Sequence, residues 1–524
     1  MENRYGYDGA HSYTPTINQN DDTSNSIILS FSDIMASRPY EQIMLFPCQI
    51  DCYNKCLSLF KTQKSVFNAS PTRSGKTITT LAQCSTLGLN PMVIGPSSIK
   101  ASWDKETRKY GFFDYLFISY DSLAGKTKKL NHPYLVIHND EYYPTEHLRN
   151  IIKQGIMIIM DESHLTKNPK SRRNKACHAI VNCLYSMESK SKLTVMSATP
   201  YDKIKFSESV LKILGIIKHS KMYEYDRSTA SYVFDGYGFG ELIRTCNMID
   251  QEKTSEILSG MKKINNTTIG AMCHSLFIEL IKPKYITRID PVFPTKVDAR
   301  NGYFKISKEA ERNIAMLEGK LIDVTGYDKN TGQMNEKIDM GAVLELLHNL
   351  ERIKLEIIER LAINMLYSVP NSKLVIYLWY RDTTNMLAQK LAYYKPGIIN
   401  GETAVKKRSD ITDKFQEPNG DCRVLIGHPD AGGLGLALDD QHGGWPRTIL
   451  MMADYRFISM AQALARCLGM LAKSNSNAWV VFANMQEVEQ NILEKLSDKE
   501  KVVRDVVGYE SKIITPGNLE IYRE

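Results

Sequence analysis

No CxxC pair occurs among the ten cysteines of this chain, which lie scattered along its 524 residues. That spacing excludes a zinc ribbon and a disulfide framework, and fits reduced thiols in an intracellular protein. Cys48, Cys52 and Cys56 recur every four residues and would share one helix face, but no further ligand stands at finger spacing, so they read as buried thiols. Long hydrophobic runs are missing too. The most apolar stretches, such as GIMIIM, fall far short of a membrane span, and nothing reads as a signal peptide. A soluble protein of nucleus or cytoplasm, with no membrane partner, is expected. Neither sign of charge dominates: 66 Lys and Arg against 59 Asp and Glu leave +7, which is compatible with a polyanionic partner without requiring one. Zinc fingers, basic zippers and other readers of base edges are lacking, so specificity would have to come from protein partners or substrate shape. What remains is ordinary globular composition, 43% hydrophobic and 24% charged, in a chain too long for one hydrophobic core.

Residues 1–35 are rich in Asn, Asp, Ser, Thr and Tyr with little periodicity and read as a flexible tail. From LFPCQIDCYNKCLSLF onward, short apolar runs alternate with amphipathic stretches, the pattern of βαβ units around a parallel sheet. VFNA, MVIGP, LFISY, GIMIIMDE and LTVMSATP supply the strands of a first lobe over 36–205. After Pro200 the strand signal fades, and 206–366 reads as a mainly helical insert and connector. KLVIYLWY, GIIN, RVLIGH, RTILMMAD and AWVVFA mark a second lobe over 367–500, and 501–524 reads as a C-terminal tail. The expected fold is therefore α/β, two similar parallel-sheet lobes around a helical insert. GYGFG near Gly236 lacks the strand and the spacing of a dinucleotide fingerprint and reads as a turn.

The stretch SPTRSGKT, Ser70 to Thr77, lies between a strand candidate and a helix candidate, the context in which a phosphate-binding loop is credible. Gly75 lets backbone approach phosphate, and the amides of the loop, Ser74 among them, join a helix N-terminus in favouring an anion. Lys76 supplies a point charge for terminal phosphates, and Thr77 a hydroxyl for magnesium. Arg73 stands where glycine is usual. A positive φ would strain it, so the loop is expected to adopt a conformation that a side chain permits. At the carboxyl end of GIMIIM, Asp161 can hold Mg²⁺ and Glu162 can orient and deprotonate a water.

Together these residues resemble a superfamily 2 helicase-type ATPase of the DEAH-box kind, with the nearest likeness in its Swi/Snf-like branch. Asp161 to His164 matches the acidic motif with Ser163 in place of the usual alanine. KNPKSRRNKA resembles the segment that follows it, VIGPSSIKASWDKE, which includes Trp103, resembles the segment after the phosphate loop, and ITRIDPVFPTKVDARNGYFKIS resembles the connector into the second lobe. The resemblance spans about Leu45 to Ala483 and implies RecA-like lobes that bind ATP and Mg²⁺ between them. It also implies roles: Gln49 reading adenine, Ser197 and Thr199 of SATP together with His164 coupling nucleotide state to lobe movement, and Gly432, Gly433 and Gly435 forming a flexible glycine-rich motif. Gln462 and Arg466 fall where the final motif carries its glutamine and first arginine; Gly469 replaces the second arginine. Arg466 would then stabilise charge on the γ-phosphate, with help from Arg456 or Lys473.

Nucleic acid is the partner this resemblance implies, double-stranded DNA first and RNA not excluded. Two basic clusters allow it, Lys126, Lys128 and Lys129, and Lys167, Lys170, Arg172, Arg173 and Lys175, although such runs equally form solvated faces. Three functions stay open: an ATP-driven translocase or helicase, an ATP-binding switch or scaffold with weak turnover because of Gly469 and Arg73, and a metal-dependent nuclease or phosphatase using Asp161 and Glu162. The trimmed motifs and the Asn- and Lys-rich composition suggest a viral or mobile-element origin.

Overall fold

The apolar runs between Val66 and Pro200 form one sheet in the computed structural model, which describes residues 41–125, 132–219, 221–260, 264–325, 340–432, 436–483, 487–508 and 519–522. The expected N-terminal tail lies outside these residues. Strands β1 (Ser65–Asn68), β2 (Asn90–Gly95), β3 (Leu116–Ser119), β4 (Ile156–Met160) and β5 (Lys192–Met196) are joined by β6 (Ile286–Thr287). Their order is β6-β1-β5-β4-β2-β3 and every pair is parallel. A parallel sheet needs cover on both faces, because its crossovers return over it. The strand period of two residues supplies both faces. Val66, Val93, Met157 and Ile159 meet helices α1 (Pro47–Thr62), α2 (Lys76–Leu87) and α3 (Lys100–Lys109) through Phe60, Leu81 and Trp103. Phe67, Ile94, Ile158 and Met160 join the opposite layer, which takes in Ile180, Val181 and Leu184 of α4 (Arg172–Tyr185). Cys52 and Cys56 sit buried in the first layer, and all ten cysteines are free thiols.

The second α/β series forms a separate sheet: β7 (Val297–Phe304), β8 (Lys373–Tyr377), β9 (Gly397–Ile399), β10 (Val424–Gly427), β11 (Arg447–Met452), β12 (Ser476–Ala483) and β13 (Leu519–Tyr522). It runs in the order β9-β10-β8-β11-β12-β7-β13, again wholly parallel. Helices α5 (Met340–Ser368), α6 (Phe457–Leu464) and α7 (Glu487–Val507) belong to this half. A buried ion pair, Lys354 Nζ to Glu489 Oε1 at 2.7 Å, fastens α5 to α7. The fold is α/β, two RecA-like parallel-sheet lobes with a largely helical segment between them.

That segment contains the departures from the sequence-based expectation. Its helices, Phe239–Ile249, Gln251–Ser259 and Asn266–Leu276 among them, are accompanied by an antiparallel hairpin of Tyr223–Asp226 with Ser231–Phe234. It also gives β6 to the first sheet and β7 to the second. A strand as short as β6 leaves no periodicity to read, and in β7 only Asn301, Gly302 and Tyr303 are buried, so no apolar alternation marks it. The stretch expected as a C-terminal tail likewise holds the end of α7 and the edge strand β13. Around Gly236 the chain does turn, with the amides of Tyr237 and Gly238 donating to Asp235 Oδ1 at 3.0 and 2.9 Å. No helix among the described residues is long and apolar enough to cross a membrane.

His178 on α4 illustrates what this packing does to a titratable group. It is buried with Nε2 2.9 Å from the Ile217 carbonyl, and burial lowers its pKa from the ordinary 6.5 to about 4. The unfolded chain therefore binds a proton that the folded chain refuses, so stability falls as pH drops through 6.5 towards 4. We expect this group to remove on the order of 2–3 kcal/mol over that window. Urea unfolding of wild type and His178→Gln from pH 7 to pH 4.5 checks it, because the variant should show a flatter decline.

Candidate nucleotide site between the two lobes

The loop 69–75 leaves β1 and enters α2 through Gly75, whose φ of 85° lies in the left-handed region. A Cβ there would also strike the Gln49 amide, so glycine is required twice over. The loop curls around its own lysine: Lys76 Nζ donates to the carbonyls of Ser70 and Pro71 at 3.1 and 2.9 Å. Burial pushes its pKa down, while the carboxylates of Glu162 and Asp161 oppose that shift. Ser74 is buried, with Oγ donating to the Pro71 carbonyl at 2.8 Å, and Thr77 is half-buried in the first turn of α2. Gln49 engages both ends of its amide, Nε2 donating to the Ser74 carbonyl at 3.0 Å and Oε1 accepting from the Phe46 amide at 2.9 Å. Arg73 corrects the expectation made for it. Its φ is 65°, the left-handed value that glycine would have taken, and its guanidinium reaches Asp439 of the second lobe at 2.8 Å.

On the neighbouring strand ends, Asp161 and Glu162 follow β4. Asp161 Oδ2 accepts from the Trp103 indole at 2.9 Å and Oδ1 from the Glu162 amide at 2.9 Å. Burial, then the charge of Glu162, pushes this carboxyl up to about 6. Glu162 behaves oppositely. Burial acts to raise its pKa, but the His164 hydrogen bond and the charges of His164, Lys76 and Arg466 outweigh it and hold the carboxyl at about 2. The Glu162 backbone is left-handed, φ 52°, which turns the side chain away from the strand direction. His164 Nδ1 lies 3.3 Å from Glu162 Oε2 and 3.5 Å from Ser197 Oγ, and that hydroxyl accepts from the Thr199 amide at 3.1 Å.

The second lobe closes on this group. Gln462 of α6 donates through Nε2 to Glu162 Oε2 at 3.1 Å and lies 3.4 Å from His164 Nδ1. Arg466, in the short turn after α6, is 4% exposed, and its Nε and Nη2 have no hydrogen-bond partner among the described residues. It stands in the electrostatic field of Glu162 and Asp161, and burial lowers its pKa. A buried guanidinium with unused donors beside a phosphate-type loop is an anion site in search of its anion.

A family model for the type III restriction enzyme res subunit matches residues 42–202. A mimivirus protein from Acanthamoeba polyphaga mimivirus, "Putative ATP-dependent RNA helicase L364", is 24% identical over 87% of this chain and 82% of its own length. A "DNA repair and recombination protein RAD54-like" from Drosophila erecta is 22% identical over 79% of this chain, which spans 55% of that relative. These similarities support a superfamily 2 helicase of the Swi/Snf-like kind. Among solved structures, the Sulfolobus solfataricus SWI2/SNF2 ATPase core in complex with dsDNA covers 90% of the chain, and 98% of that structure is covered, at 15% identity and a TM-score of 0.31.

The fold gathers Ser74, Gly75, Lys76 and Thr77 with Asp161, Glu162, His164 and Ser197 from the first lobe and Gln462 and Arg466 from the second. It does not bring Arg456 there. That guanidinium is held bidentately by Asp454 at 2.8 Å and stacks 3.9 Å over the Trp379 ring. Lys473 is exposed near Gly443. Gly433, Gly435, Lys126, Lys128 and Lys129 lie outside the described residues. Lys167 and Arg173 pair with Asp202 and Asp121 at 2.8 and 2.6 Å. Sequence reasoning gave no part to Asp439 and none to the indole of Trp103. Only the second had a signal, an aromatic carrying a donor within an otherwise polar helix segment.

Proposed function

We propose that the chain hydrolyses ATP to ADP and phosphate and uses the cycle to move along nucleic acid, double-stranded DNA in the first instance. The observation that carries this reading is Arg466: a buried cation with unpartnered nitrogens, set by the second lobe in the field of the carboxylates that flank Lys76. No described residue bonds its Nε or Nη2, and a γ-phosphate placed in the loop would. Lys76 then turns from loop carbonyls to the terminal phosphates. Thr77 and Asp161 offer hard oxygen donors, the set that holds magnesium together with phosphate oxygens and water, and the bound ion would neutralise phosphate charge. Asp161 is oriented for that role by Trp103. Glu162, ionised and aligned by Gln462 and His164, positions the attacking water and takes its proton. Because Gln462 touches both Glu162 and His164, closing and opening of the cleft is felt directly at the base, and Ser197 extends that contact towards Thr199.

Nucleic acid as the track draws on the relatives, one named for RNA helicase activity and others for DNA repair. A cleft of about 790 Å³ beside the site is lined by Lys167, Arg172 and Arg173 together with Asp121 from the first lobe, and by Asp430, Ser459 and Gln462 from the second, a polar surface of mixed charge shared by both lobes. The nuclease reading is disfavoured because Lys76 sits in the field of both carboxylates and ties them to the phosphate loop. Steady-state phosphate release with and without duplex DNA, wild type against Lys76→Ala, tests the proposal. We expect DNA-stimulated turnover that the variant lowers by at least about 100-fold, the scale of a lost phosphate-site charge. Tight nucleotide binding without turnover would instead make the chain a switch, and phosphodiester cleavage without ATP would make it a nuclease.

A further inference from the structure

Arg73, Asp439 and Gly469 form a contact that none of the roles above uses. A non-glycine residue in the left-handed region costs on the order of 1–3 kcal/mol and persists only where its surroundings over-determine it. For Arg73, φ 65°, that determinant is Asp439 across the cleft, which accepts from Nη2 through Oδ1 at 2.8 Å. The Asp439 carboxylate is 0% exposed, and its Oδ2 has no hydrogen-bond partner among the described residues. Its backbone is fixed to the arm that carries Arg466: the Leu438 amide donates to the Arg466 carbonyl at 3.1 Å, and Gln416 Nε2 donates to the Asp439 carbonyl at 3.0 Å. Asp439 and Arg466 are therefore one rigid piece of the second lobe, and Arg73 grips that piece from inside the phosphate loop. Gly469 lies against the grip. A Cβ built there would stand 2.8 Å from Asp439 Oδ2, 3.1 Å from its Cγ and 3.4 Å from Arg73 Nη2.

The grip uses little of the guanidinium. Arg73 offers five N–H donors in a planar fork and bonds Asp439 through a single nitrogen, while its side chain keeps 26% of its exposure. A second guanidinium, Arg466, lies close enough to feel its charge. Two like charges held in one cleft, both with unused donors, favour an anion between them. We propose that Arg73 is a phosphate-binding bridge: anchored on Asp439, it gives its remaining donors to a terminal phosphate oxygen of a bound nucleoside triphosphate, and Gly469 is the clearance the bridge requires. The inference rests on the nucleotide reading of the site and adds to it a preference for triphosphate over diphosphate, expressed as lobe closure.

The test uses the full chain and fluorescent analogues of non-hydrolysable ATP and of ADP, titrated into wild type, Arg73→Gly, Gly469→Ala, the double variant and Lys76→Ala. Arg73→Gly relieves the left-handed strain, which offsets part of the cost of leaving the Asp439 carboxylate without its cation. The bridge predicts that this change weakens triphosphate binding roughly tenfold to hundredfold, the worth of a charge-assisted hydrogen bond, with diphosphate binding changed less than about twofold. Gly469→Ala should give the same loss of preference by displacing the pair, and the double variant should be no worse than the worse single one, since both act on one contact. Equal losses for both nucleotides, no loss, or additive losses in the double variant would overturn the bridge while leaving the nucleotide reading standing, provided Lys76→Ala abolishes binding. If the wild type binds neither analogue, the nucleotide reading falls and takes the bridge with it.

Discussion

Replacing Arg466 by alanine should lower kcat for nucleic-acid-stimulated ATP hydrolysis by roughly 1,000-fold, with ATP affinity reduced less than about tenfold. The asymmetry follows from where the cation sits. Its charge is close to Glu162 and Asp161 but its Nε and Nη2 bond nothing among the described residues, so its stabilisation is reserved for charge that develops on the transferring phosphoryl group. Folding should survive the change. Deleting a buried guanidinium whose Nε and Nη2 bond nothing among the described residues relieves a desolvation cost. Arg466→Lys should recover little, because an ammonium cannot reproduce the planar fork. Single-turnover phosphate release alongside fluorescent-nucleotide titration separates chemistry from binding. An alanine variant within tenfold of wild type in kcat would show that the second lobe does not complete the site.

A second large effect is expected at Glu162. Glu162→Gln keeps shape and can still meet Gln462, but it removes the carboxylate that is held firmly ionised at neutral pH beside Gln462 and His164. The loss in kcat should be about 10²- to 10⁴-fold, the usual worth of general base catalysis. Nucleotide binding should hold or tighten, because the Glu162 charge is one of the two main influences raising the Asp161 pKa, and removing it makes Asp161 a readier carboxylate. The variant should therefore accumulate with ATP bound, a state readable as slow release of labelled nucleotide in a chase.

Much of this was legible along the chain because it depends on neighbours in sequence. SGKT after an apolar run, and Asp161 with Glu162 after GIMIIM, are local signals: a strand delivers the group and a loop or helix start presents it. Runs such as KLVIYLWY announced the second sheet in the same way. The strand β7 was not legible, since Asp298, Arg300 and Asn301 interrupt any alternation and only pairing with β12 and β13 makes the stretch a strand. The conformation of Arg73 was read in the wrong direction. Local sterics argue against a left-handed arginine, and a partner hundreds of residues away overrides them.

By itself the amino-acid sequence determined the two-lobed α/β plan, the loop from Ser70 to Thr77 between a strand and a helix, and the acidic pair at a strand end, because apolar period and turn chemistry act over a few residues. Tertiary structure alone decided that Trp103 would orient Asp161, that two adjacent carboxylates would be driven to opposite ends of the acid range, and that Arg73 would cross to Asp439 beside Gly469. Burial, charge and clearance are properties of what surrounds a side chain in space, and that surrounding exists only once the two lobes have met.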